Sequence, residues 1–153
     1  MTAWILSLML ILQPKAPWAE TYNQTAQAIS DASESEPLFK GENGKEKTAV
    51  LLISLAWFES RFDPNAIGDK GKSYGLYQQQ GMGELSDPKV ATMVAIQQIK
   101  ISFRVCINKP LDERLGWYTN GGPDCEKDKT KAKHRMLKAF WLLKTYPNPR
   151  ITQ

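Results

Sequence analysis

From Thr48 to Phe58 the chain is apolar at nearly every position: Ala49, Val50, Leu51, Leu52, Ile53, Leu55, Ala56, Trp57 and Phe58. A helix greasy on all sides has no face to give to water, so Lys47–Phe58 is expected to run through the middle of the core. The stretch ends in a carboxylate, Glu59. A carboxylate leaving an apolar helix sits where charge is poorly solvated, which makes it a candidate proton donor near neutral pH.

The rest of the chain reads as further helices. Trp18, Tyr22, Ala26 and Ile29 recur at helical spacing through Ala32. Pro37 disfavours helix before it, and Gly41–Lys45 is a turn cluster. Ser86-Asp87-Pro88 reads as a cap with proline in the first turn, opening a helix over Lys89–Cys106. A short helix is expected from Asp112 to Trp117 or Tyr118, broken by Asn120-Gly121-Gly122-Pro123. A last one is expected over Thr130–Thr145, basic on one face. No run of strands and no repeat is visible, so the class is mainly α. The length of 153 residues suits a single domain whose core needs no metal.

Asp63–Gly83 is a long, glycine-rich connection between helices, and such segments are usually functional. Its Tyr74, Tyr77 and Gln78, with Trp117 and Tyr118 further on, form an inventory suited to stacking and hydrogen bonding with sugars. Taken singly, each aromatic is as readily a core residue. Other chemistries find little support. Two cysteines and one histidine, His134, cannot make a four-ligand zinc site. His134 lies in a basic helix with no nucleophile elbow, and Gly68, Gly71 and Gly75 lack the lysine of a phosphate loop. No cofactor is implied.

Cys106 and Cys125 are spaced to close a loop, and a bridge is preferred to two buried thiols because Cys125 falls in a polar segment. The net charge of +4 mildly favours an anionic partner, and the cluster Lys127–Lys138 reads as a solvated helix start. Ala3–Leu12 is a ten-residue apolar run, too short to span a bilayer. Residues 1–19 are therefore either a signal peptide or a first apolar helix packed into the domain. The poor cleavage region and the absence of a preceding basic residue count against export; the cysteines count for it. A periplasmic or extracellular location is the preferred reading.

The segment Glu59-Ser60-Arg61-Phe62-Asp63-Pro64-Asn65-Ala66, followed by Gly68, Gly71, Ser73 and Gly75-Leu76-Tyr77-Gln78, resembles the catalytic core of soluble lytic transglycosylases and goose-type lysozymes. Trp117-Tyr118-Thr119-Asn120-Gly121 is similar to that family's Ala-Tyr-Asn-Ala-Gly. The resemblance covers about half the chain. It implies a lysozyme-like single domain over residues 20–150 with a glycan-binding groove. The implied activity is cleavage of the β-1,4 bond between N-acetylmuramic acid and N-acetylglucosamine. On this resemblance Glu59 is the acid and then the base, Ser73 and Gln78 bind or orient the saccharide, and Tyr118 lies over the site; Tyr74, from the sugar-contact inventory, is a further candidate binding residue. The implied partner is the peptidoglycan glycan strand, met by a monomer, with neither nucleic acid nor a stable membrane span involved. Thr119 stands where the family has Asn, and Gln79 where it has an aliphatic residue. Ordinary glycosidases pair two carboxyl groups. Asp63, Asp69 and Glu84 are nearby, but none holds a position that the motif marks as catalytic. A single glutamate favours closure of a 1,6-anhydro ring over hydrolysis, with a glycan-binding module that has lost turnover as the alternative from another class.

Overall fold

Burial of the apolar stretch that ends at Glu59 organises the molecule. A computed structural model describes residues 1–81 and 83–149; Arg150, the last residue of the expected domain, lies outside the described residues. Among the described residues the chain forms six α-helices: α1 (Thr2–Leu12), α2 (Tyr22–Ser35), α3 (Gly44–Ser60), α4 (Pro88–Val105), α5 (Gly116–Asn120) and α6 (Lys129–Thr145). The architecture is mainly α, as the periodicity implied.

Every residue of α3 from Thr48 to Ala56 is buried. Its most extensive partner is α6, which contributes Ala132, Met136, Ala139 and Leu142, while α2 and α1 cover other sides. The helix begins a turn earlier than expected, at Gly44, because Asn43 adopts a left-handed conformation (φ 57°) that turns the chain into it. Helix α1 sets Ile5, Leu8 and Met9 into the same core. Its Trp4 indole Nε1 donates to the carbonyl of Tyr146, 2.8 Å away. Among the described residues no helix is long and apolar enough to cross a membrane.

The apolar positions of α2 fall where the spacing put them, except that Trp18 precedes the helix. A three-ten turn over Ala19–Thr21 intervenes, and the Trp18 indole donates to the carbonyl of Arg61 instead. Helix α4 starts as its sequence implied, with the Asp87 carboxylate accepting from Lys89 N at 2.8 Å and Pro88 in the first turn.

Two elements differ from expectation. The helix expected from Asp112 is two pieces, a three-ten turn over Leu111–Glu113 and then α5. Ser102 on α4 draws them together: its hydroxyl donates to the carbonyl of Arg114 and accepts from Tyr118 N. At the first residue of α5, Gly116 lies so close to the backbone of Cys125 that a Cβ would collide with it. The long glycine-rich connection holds a small antiparallel sheet in the order β1 (Ile67–Gly68), β2 (Ser73–Tyr74), β3 (Gln79–Gln80), with Gly68 opposite Ser73 and Ser73 opposite Gln80. Strands of two residues carry too little alternation to be seen in a sequence.

Cys106, just past α4, is bonded to Cys125 across a separation of 19 residues. The bridge is compatible with an oxidising compartment. Replacing both cysteines by alanine is expected to lower unfolding free energy by about 3 kcal/mol, the effect of releasing a loop of this length. Urea titration of the double variant checks this, and labelling of the native chain should find no free thiol.

Candidate functional site

The end of α3 is built with backbone strain. Arg61 (φ 54°) and Phe62 (φ 66°) both take the left-handed region, and the amide of Phe62 reaches back to the carbonyl of Ala56. Positive φ is a genuine outlier for a bulky residue and persists only where packing over-determines it. Here Phe62 is fully buried with its ring edge-on to Tyr22, 5.6 Å between centroids. Arg61 lies over the Trp57 ring at 4.0 Å. The Ser60 hydroxyl donates to the carbonyls of Ala56 and Leu76, tying the helix end to the glycine-rich segment. The turn at Gly75 (φ 73°) brings its backbone onto the carbonyl of Leu85, so that a Cβ there would collide.

These constraints leave Glu59 at the edge of a cavity of about 430 Å³. Asp69, Ser73 and Gln78–Gln80 line it from the small sheet, Trp117–Gly121 from α5, and Lys131 and Arg135 from α6. Four of the residues expected to act together, Glu59, Ser73, Gln78 and Tyr118, line one space. Tyr74 does not line it; its hydroxyl donates to the carbonyl of Gly71 and braces the loop. A hollow of about 710 Å³ between α2 and the start of α4 is larger but holds none of the motif residues.

The poor solvation of charge expected at the end of an apolar helix is offset at Glu59 by a cation. Arg135 Nη2 lies 2.5 Å and Nε 3.0 Å from Glu59 Oε1. The side chains are 12% exposed for Arg135 and 23% for Glu59, so the pair is shielded without being sealed from solvent. The reason lies in the packing: α6 crosses α3 closely enough that a long basic side chain at position 135 covers the helix end, with its guanidinium over the Phe58 ring at 5.0 Å.

Tyr118 contributes a different kind of group. Its hydroxyl is buried and has no hydrogen-bond partner in the structure. Burial, then the negative charge of Glu59, holds this phenol well above the ordinary tyrosine range, with Arg135 opposing weakly. The Tyr77 phenol is also raised, by burial, despite its contact with Thr92. Ser73 Oγ donates to Asp69 Oδ2 at 2.5 Å. Gln78 takes a left-handed backbone (φ 47°) and its amide nitrogen donates to the carbonyls of Ala66 and Gly75, so half of its polar inventory is spent on the turn. Gln79, the departure from the aliphatic, is buried all the same, with its amide set against the backbone of Ala91 and Ala95 on α4. Thr119 directs its hydroxyl to the carbonyls of Leu115 and Gly116. Among the described residues no group of three or more His, Cys, Asp or Glu side chains is arranged to hold a metal ion.

Arg135 carries no local sequence mark of this pairing: it lies 76 residues from Glu59, within the basic cluster that reads as a solvated helix start. No family model matches this chain, and no curated protein or solved structure matches it either.

The two buried phenols carry a pH consequence. Tyrosines of the unfolded chain ionise near ~10, whereas these stay protonated to higher pH in the fold. Above pH ~10 the folded state therefore binds more protons, and stability falls as pH rises, by about 1.4 kcal/mol per unit for each tyrosine until it ionises in place. Between about pH 9 and 11, Tyr118→Phe should lose about 1.4 kcal/mol less unfolding free energy than the parent over the whole range, as read by urea unfolding. At neutral pH, losing an unpartnered hydroxyl should leave stability unchanged or slightly raised.

Proposed function

We propose that this chain is a peptidoglycan lytic enzyme with a lysozyme-like domain, in which Glu59 is the acid and base and the cavity beside it is part of a glycan groove. The observation that carries this reading is the meeting, in one space, of Glu59, Ser73, Gln78 and Tyr118, drawn from separate segments of the motif pattern. Side-chain amides of Gln80, Gln98 and Asn120 add the donors and acceptors a polyhydroxylated ligand needs.

In the proposed reaction the Glu59 carboxyl gives its proton to the glycosidic oxygen. The bond from that oxygen to C1 of muramic acid breaks, and its electron pair stays with the leaving sugar. The resulting carboxylate takes the proton of the 6-hydroxyl as O6 bonds to C1, which closes the 1,6-anhydro ring and restores the acid. No second carboxylate and no water is consumed.

One observation favours hydrolysis as a second reading. Asp69 lines the same cavity and is oriented by Ser73. A second carboxylate in the space could hold a water in the place of the 6-hydroxyl. The bridge between Cys106 and Cys125 is in keeping with action outside the cytoplasm.

Digestion of purified cell walls tests these readings together. Glu59→Gln is expected to release muropeptides at least about 1,000-fold more slowly, within the range for removing an acid–base group. Mass spectrometry of the products then separates them: anhydromuramic ends mark ring closure and reducing ends mark hydrolysis. A wild-type chain that binds walls and releases nothing is a binding module.

A further inference from the structure

We infer that Arg135 is a positioning residue for the Glu59 carboxyl, holding one oxygen still and leaving the other to the substrate; this rests on the reading of Glu59 as acid and base. Both guanidinium donors, Nε and Nη2, end on Oε1. Among the described residues no hydrogen bond ends on Oε2. A neutral carboxyl group has one oxygen that only accepts and one that carries the proton. An oxygen that already accepts two N–H bonds is the accepting one, so the proton comes and goes on Oε2.

Arg135 is itself held from several directions, which is what a positioning group needs. Its main-chain carbonyl accepts from the Ser54 hydroxyl of α3 at 2.7 Å. Nη1 donates to the carbonyl of Lys131, and the guanidinium lies over Phe58. Its backbone and its side chain are therefore both fixed to the helix that carries Glu59. When the proton leaves, the negative charge develops against a cation already in place, with no reorganisation required. A lysine at 135 would supply a point charge but not two parallel donors, so the carboxyl would be free to rotate.

Steady-state kinetics on soluble peptidoglycan oligosaccharides test the role, with Glu59→Gln run in parallel. Arg135→Ala is expected to lose about 100-fold in kcat, the scale of a small misplacement of a reacting group, with KM nearly unchanged. Added methylguanidinium should restore part of the loss, and Arg135→Lys should stay well below wild type. Arg135→Met, which keeps the packing on Phe58, replaces the alanine variant should circular dichroism show that the latter is not folded. Wild-type kcat in the alanine or methionine variant, or a loss that methylguanidinium leaves untouched, overturns the positioning role while Glu59→Gln still reads as inactive. Full activity in Glu59→Gln overturns the reading of the site and this role with it.

Discussion

Burial of α3 on all sides is the constraint on which the rest of the molecule depends. An apolar helix with no solvent face must be wrapped, and α1, α2 and α6 do the wrapping. The wrapping then determines what surrounds the one charged residue at its end. Because α6 crosses close to α3, the position that caps Glu59 belongs to α6, and the residue there is a cation. The core and the candidate site are thus consequences of the same packing.

That dependence explains which features could be read from the chain. The helices at α2, α3, α4 and α6 declare themselves through apolar periodicity, and the start of α4 through Asp87-Pro88, because these signals are local. Motif resemblance, not periodicity, marks the grouping of Glu59 with Ser73, Gln78 and Tyr118. Neither marks the pairing of Glu59 with Arg135. It depends on the crossing of two helices far apart in sequence, which no local pattern encodes. The same holds for α5, whose start is set by a hydroxyl on α4 and by the close approach of Cys125 to Gly116.

The glycine-rich segment illustrates a division of labour within one motif. Gln78, Tyr74 and Ser60 look alike in a sequence as polar groups near a carboxylate. In the fold Tyr74 and Ser60 brace the loop with their hydroxyls, and Gln78 does so with its amide nitrogen while still facing the cavity. Left-handed backbone at Arg61, Phe62, Asp69 and Gln78 shows how tightly this bracing is drawn. Conformations of this kind are retained where neighbouring structure leaves no alternative, and two of them here, Asp69 and Gln78, line the cavity.

The two sides of the cavity owe their rigidity to different forces. Glu59 and Arg135 stand on helices held by apolar burial, whereas Trp117 and Tyr118 stand on a segment whose ends are joined by the cystine. Heat and denaturant act on the first support, and thiol reagents on the second. The cavity therefore rests on two kinds of support, one noncovalent and one covalent.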